Sequence, residues 1–334
     1  MRGEHIRKIL TVALDRGSVT ARQLAYDTGL SVVTVNAILH ELTARGLLVF
    51  AGLQPTSRGR HARAYAAPPA ALKVAAVVQH AGELVAASSG PGDPDAILSV
   101  AEAGDPPDID RLAKLIIEVS GGSLLQRAVV GLPVRADAHT ADIRRHTKME
   151  LARRLGCAVS VRSTTELTAI AEAQFGVARG VDNFVQVTGG QTTAVSHVVN
   201  GVPHDGAHGL AGLLWLLADR LPGPPVPGPD NPPSNAVSEP LESALAAVCL
   251  VADPALVVLG KELTRDTNVH LPDRLRRVFR QVLPVPPEVA SSAVGGDPAL
   301  RGALQAAQSA ARKAFVAAAG PVDGVERTSR SRPV

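Results

Sequence analysis

Aromatic side chains are scarce in this sequence: five Phe, two Tyr and one Trp among 334 residues. So thin a supply excludes a surface that holds single-stranded nucleic acid by stacking bases on rings. Cysteine is scarcer still. Cys157 and Cys249 each stand alone in an apolar segment, which excludes a disulfide framework and a cysteine-paired metal site and predicts buried thiols in a reducing compartment. The N-terminus carries no signal sequence and no apolar run approaches bilayer length, so the expected location is the cytoplasm, with no membrane partner. Charge of neither sign dominates: 34 basic residues face 31 acidic ones, a net +3.

That near-balance conceals an asymmetry. Residues 1 to 65 hold nine basic residues (Arg2, Arg7, Lys8, Arg16, Arg22, Arg45, Arg58, Arg60, Arg63) against four acids (Glu4, Asp15, Asp27, Glu41), while the remainder holds 25 against 27. A GC-rich genome would explain the preference for Arg over Lys, but not its placement. A positive excess gathered on one short segment is what counterion release on phosphate binding requires.

The same segment carries the strongest motif. Within TARQLAYDTGLSVVTVNAILH (20 to 40), Thr20 and Ser31 each precede a helical run as N-caps, Gly29 suits the left-handed residue that ends the first helix, and small Ala25 lets the two helices approach. Val35 and Ile38 are spaced to pack beneath the second helix. This is a helix-turn-helix. An amphipathic helix over residues 5 to 16, with Ile6, Ile9, Leu10 and Ala13 on one face, precedes it. Two short apolar runs flanking a Gly- and Arg-rich loop in RGLLVFAGLQPTSRGRHARAYAA follow it, and read as a wing. By position Ser31, Val32, Val33, Asn36, Ala37 and His40 face a major groove, with Thr34 close to a phosphate. No bidentate guanine contact is available from that helix, so a preference for AT-containing sites is expected. Arg58, Gly59, Arg60 and Arg63 could enter a minor groove or clamp phosphates across it; the alternative is a solvated basic turn.

Beyond Ala67 the pattern alternates strand and helix, which predicts an α/β domain. The expected organisation is a winged helix-turn-helix over 1–67, a Pro/Ala linker at 68–71, and two α/β lobes over 72–176 and 177–319. The second lobe carries an Asn200-Gly201 hairpin turn and a returning C-terminal helix. Eight prolines in 222–240 predict an exposed loop, and 320–334 a frayed tail.

At this point the chain resembles the ROK proteins (repressors, open reading frames and kinases), in their branch of transcriptional regulators with an N-terminal winged helix. The matching residues are TGLSVVTVNAILHELTARGLL and SRGRHARAY, GLPV (131 to 134), ELTAIAEAQFGVARG (166 to 180), NGVPHDGAHGLAG (200 to 212) and DPALVVLGKEL (253 to 263). The resemblance implies a large domain of actin/sugar-kinase-like, ribonuclease-H-like two-lobed fold. It also implies lost chemistry. Aligning on Ala171-Glu172 puts Thr164 where catalytic members carry an acidic base, and threonine cannot take up a proton at neutral pH. The first phosphate loop has no counterpart in LKVAAVVQHAGELVAAS, where Gln79, His80, Ala81 and Gly82 make a plain turn and one strand is expected to be missing. TGGQTT (188 to 193) resembles the second phosphate loop, although a glycine pair after a strand is more often a turn. Leu213 and Leu216 stand where the family places a sugar-binding glutamate and a zinc-binding histidine, so neither metal nor cofactor is expected.

What remains as a candidate ligand pocket is Thr164, Glu166, Gly189, Gly190, Gln191, His204 and His208, the two histidines without a third ligand and so read as solvated. The leading expectation is a nucleoid-associated DNA-binding regulator, a repressor without enzyme activity. It would bind double-stranded DNA as a homodimer or higher homo-oligomer, with a sugar-like or altered small molecule as effector. An architectural or partner-binding protein with a vestigial sensor is the alternative, and a sugar kinase the third class. IDRLAKLIIEV and the helix from Leu300 to Ala319 are candidate dimer-packing elements, or plain core.

Overall fold

A computed structural model of the chain describes residues 1–55, 61–80, 82–90, 96–100, 102–104, 108–133, 140–189, 193–204, 206, 211–212, 239–264 and 270–319. They fall into two compact units, one of residues 1–73 with 308–319, the other of the intervening α/β segments.

In the first unit, α1 (Arg2–Arg16) is followed by the short strand β1 (Val19–Thr20), α2 (Ala21–Thr28), α3 (Val32–Ala44), β2 (Val49–Pro55) and β3 (His61–Ala66). The predicted helix starts are present. Thr20 forms a full capping box with Gln23, and Ser31 Oγ accepts from Thr34 N at 3.1 Å. Gly29 adopts φ 71° and its amide reaches Ala25 O at 3.0 Å, so the tight turn uses glycine's access to the left-handed region. The three strands pair antiparallel in the order β1-β3-β2, closing a core of Ile6, Ile9, Leu10, Ala13, Val19, Leu24, Val35, Ile38, Leu39, Leu42 and Leu48.

That core has a contributor from the far end of the chain. The last helix, α9 (Pro298–Ala318, numbered after those introduced below), brings Phe315 and Val316 into it, followed by fully buried Ala319. Two arginines tie the parts reciprocally at helix C-termini, where carbonyls lack partners and carry partial negative charge. Arg45 donates to Ala319 O at 3.3 Å and Ala318 O at 3.4 Å; Arg312 donates to Leu14 O at 2.8 Å and Asp15 Oδ1 at 3.1 Å. The lobe boundary expected at 319 therefore does not describe where 308–319 packs.

The second unit holds two five-stranded sheets. The first is built from β4 (Val74–His80), β5 (Glu83–Ser89), β6 (Ala96–Val100), β7 (Arg127–Leu132) and β8 (Ala158–Ser163), with α4 (Ile109–Val119) and α5 (Thr140–Leu155) between. Its order is β6-β5-β4-β7-β8, antiparallel across the first three strands and parallel across the rest. The expectation of a missing strand is corrected here: β6 pairs with β5 from Ala96↔Ser88 to Val100↔Leu84. Gln79 and His80, expected in a plain turn, instead end β4 and pair with Leu84 and Glu83 of β5. At the chain's other expected connector, Pro69–Leu72 forms a 3₁₀ turn rather than an open link.

The second sheet comprises β9 (Phe184–Thr188), β10 (Ala194–Val199), β11 (Val202–Pro203), β12 (Leu256–Leu259) and β13 (Glu288–Ser291), with α7 (Glu239–Ala252) and α8 (Leu271–Val282). Its order, β11-β10-β9-β12-β13, repeats the first sheet's pattern of third, second, first, fourth and fifth strand. Asn200 and Gly201 both take positive φ, 51° and 73°, which is the predicted two-residue hairpin turn. Glu239 and Pro240, expected in the proline loop, instead open α7; a proline is tolerated in a first turn because its absent N–H would have no partner there.

Helix α6 (Thr164–Phe175) lies against both sheets. Gly131 of β7 gives Leu167 room, and Ala169 and Ala173 join Phe184, Val198, Leu256 and Val258 of the second sheet. Glu172, fully buried, accepts from Val177 N at 3.0 Å and from the Ser292 hydroxyl, so each of its carboxyl oxygens has a donor. α4 spends its apolar face on the first sheet through Leu112, Ala113, Leu115, Ile116 and Val119. Both helices nominated for dimer packing are thus core elements of this chain.

Candidate nucleic-acid interface and ligand site

The cap at Ser31 fixes the start of α3, and the burial of Val35, Ile38, Leu39 and Leu42 fixes which side faces out. Val33, Asn36, Ala37 and His40, at i, i+3, i+4 and i+7, form one exposed stripe, with Val33 80% and Val32 47% exposed. An isolated helix with two valines standing in water at its N-terminus loses solvation free energy unless something apolar meets them. Ser31 and Thr34 are placed there too, but their hydroxyls bond each other at 2.9 Å, which commits them to the cap. The exposed side chains at this end and face of α3 that are not committed to the cap are therefore Val32, Val33, Asn36, Ala37 and His40.

Arg63 stands exposed on β3 with its guanidinium 5.2 Å over the Phe50 ring, a cation–π contact that holds the charge in place on the wing. Arg58, Gly59 and Arg60 lie outside the described residues. On α2, Arg22 and Tyr26 are one turn apart and exposed, Tyr26 by 88%. The sequence reading passed over them, although their i, i+4 spacing on the polar face of the first motif helix is a usable signal.

In the second unit, the residues proposed for a ligand pocket separate. Thr164 and Glu166 stand at the N-terminus of α6, with Thr165 Oγ1 2.7 Å from Thr188 Oγ1 at the end of β9. Gly189 follows directly, and its amide is occupied: it donates to Glu262 Oε1 at 2.8 Å. Leu263 also fills the space beside Gly189, where a Cβ would collide with it. One amide that an incoming anion would use is thus held by the chain's own carboxylate. Glu262 was not foreseen, since the contact joins residues 73 positions apart.

His204 is exposed just past β11 on the second sheet's hairpin, its amide donating to His197 O at 2.8 Å. It does contribute to lowering the pKa of His197: burial pushes the His197 imidazole below 6.5, electrostatic repulsion from the neighbouring His204 adds to this, and a hydrogen bond to the Ala252 backbone opposes it. Gly190, Gln191, His208, Leu213 and Leu216 lie outside the described residues. Among the described residues no group of three or more His, Cys, Asp or Glu could hold a metal ion, and no helix is long and apolar enough to cross a membrane.

The start of α6 holds more than the sequence reading placed there. Ser163 caps it, accepting from Glu166 N at 3.1 Å and donating to Glu166 Oε1 at 2.9 Å. Ser-x-x-Glu is itself a helix-start signature that could have singled out this pair. Two arginines flank the same carboxylate: Arg144 Nη1 at 3.7 Å from Oε1 and Arg162 Nη1 at 3.9 Å from Oε2.

A three-helix winged domain joined to two sheets of identical strand order, with a shared helix against both, defines the actin/sugar-kinase-like class of α/β fold. Among solved structures the fold is that of the ROK proteins. A ROK family transcriptional regulator, homologous to the E. coli MLC protein, superposes with a TM-score of 0.64 at 15% identity over 95% of this chain and 98% of that one. A ROK hexokinase from Thermus thermophilus gives 0.56 at 17% identity, covering 70% and 97%. A ROK family glucokinase from Streptomyces griseus, solved with glucose and AMPPNP, gives 0.50 at 14% identity, covering 71% and 99%. No family profile and no curated protein matches the sequence.

Proposed function

We propose that this chain is a sequence-specific DNA-binding transcriptional regulator, a repressor, whose large α/β unit has lost kinase chemistry and serves for pairing two copies and sensing a small ligand. The exposed stripe Val33, Asn36, Ala37 and His40 on a capped, solvent-facing α3 carries the reading. Asn36 can pair with adenine N6 and N7, the valines meet thymine methyls, and Arg63 supplies phosphate or minor-groove contact from the wing. The extent of the structural likenesses supports it: the regulator spans 95% of this chain, the two sugar kinases 70% and 71%. Against a kinase stand Thr164, which offers no base, and Glu262, which takes an amide of the glycine turn. One winged helix buries too little DNA for a typical specific affinity, which is the argument for a dimer on two half-sites. Function at the chromosome places the protein in the cytoplasm with the nucleoid.

The test is selection of bound duplexes from a random pool by the full chain, followed by titrations of the enriched site in rising salt. A palindromic site, an altered preference at one base pair in Asn36→Ala, and a shallower salt slope in Arg63→Ala support the reading. Retention of random duplex without enrichment would favour the architectural alternative.

A further inference from the structure

One of the guanidinium groups beside Glu166 is incompletely paired. Arg144, on α5, is half-buried with a side-chain exposure of 16%, and its buried Nε has no hydrogen-bond partner among the described residues. Its approach to Glu166 at 3.7 Å is an ion pair without a hydrogen bond, and the same holds for Arg162 at 3.9 Å. Glu166 Oε1 already accepts the Ser163 hydroxyl. The Arg144 Nε–H, removed from water without an acceptor, is a costly donor, while Arg162, with a side-chain exposure of 32%, keeps contact with solvent. Among the described residues two guanidinium groups approach this carboxylate, and the N-terminal end of α6 adds positive potential to the same corner. Hydroxyls stand at the same helix start, on Thr164 and on the bonded pair Thr165 and Thr188.

We propose that Arg144 and Arg162 form the recognition site for a small organic anion, a polyol bearing a carboxylate or a phosphate, with Glu166 as the internal counterion that the ligand displaces from the arginines. The planar guanidinium groups match either anion in a two-pronged contact, which a neutral sugar cannot supply. As the effector site it rests on the regulator reading; as a binding site it stands without it.

The experiment is a thermal-shift and calorimetric titration of the full chain, at fixed ionic strength, with inorganic phosphate, glucose 6-phosphate, gluconate and glucose. A ligand bound only by the folded state raises its stability in a saturable way. Saturable stabilisation by glucose 6-phosphate or by gluconate, absent with glucose, is the expected result, and which of the two acts assigns phosphate or carboxylate. Arg144→Gln and the more exposed Arg162→Gln should each weaken that binding at least tenfold, and Glu166→Gln should strengthen it several-fold by removing a like charge. Circular dichroism of each variant confirms folding, and Arg162→Gln carries the test if Arg144→Gln fails it. No saturable shift with any of the three anions, or the same affinity in wild type and both arginine variants, overturns the site. DNA affinity, measured without ligand, is a separate readout: DNA binding intact with no anion binding removes this site alone, and anion binding with no DNA binding removes the regulator reading alone.

Discussion

Phe315→Ala, a change in the last helix, should loosen α1 and α3 at the opposite end of the sequence. Phe315 is partly buried among Ile6, Ile9, Leu10, Leu39 and their neighbours. Truncating a fully buried Phe costs about 3–5 kcal/mol, so the partial burial here sets about 2 kcal/mol. A domain of this size has only about 5–15 kcal/mol in all, and about 2 kcal/mol is roughly a 30-fold rise in the locally open population. Arg312→Ala should add a smaller loss, since that side chain is 45% exposed and its charge is screened by solvent. Hydrogen–deuterium exchange of peptides within 5–14 and 35–43 reads the effect directly, because exchange from a folded core reports the opening equilibrium. The same peptides in a fragment of residues 1–73 should exchange faster still, and adding a peptide of residues 308–319 should slow them. Less than about threefold acceleration in Phe315→Ala, or full protection in the fragment alone, would refute the claim that α9 completes this core.

Gly302→Ala should lower the melting temperature of the α/β unit. Its Cβ would collide with the Leu167 carbonyl in α6, an overpacking cost of about 1–3 kcal/mol that exceeds the helix-propensity gain of about 1 kcal/mol; an unchanged or raised melting temperature would contradict that close approach. His197 should make the protein acid-sensitive. Its pKa is lowered on folding, so the unfolded chain binds more protons below pH 6.5, and the stability tied to the neutral imidazole is complete above that pH and lost as pH falls through the folded value. Urea midpoints between pH 5 and 8 should fall less steeply toward acid in His197→Gln, and equal slopes would exclude the histidine as the source.

What the sequence disclosed was local. Thr20, Ser31 and Gly29 each act within four residues of themselves, and Asn200-Gly201 closes its own hairpin, so residue type alone announces the geometry. The apolar periodicity of α1 and α4 likewise placed their buried faces. Hidden features join distant positions. Strand β6 is five residues beyond a Gly/Pro/Asp run, too short for a period to be read, and its place comes from pairing with β5. Arg144 on α5 reaches Glu166 on α6, and Glu262 reaches Gly189 only once β9 and β12 lie side by side. Ser163 is the instructive case, since its cap was written in Ser-x-x-Glu but overshadowed by the neighbouring Thr164.

The packing of residues 308–319 into the winged helix sets a schedule for synthesis. The helices α2 and α3, proposed to read DNA, leave the ribosome first, yet the last piece of their core follows roughly 265 residues later, on the order of 10–50 s at about 5–20 residues per second. Until then the α3 stripe sits on an unfinished scaffold. A chain stopped by a nonsense codon anywhere in the α/β unit would carry α3 without the residues that steady it, so on the regulator reading proposed above truncated products would compete poorly for DNA sites.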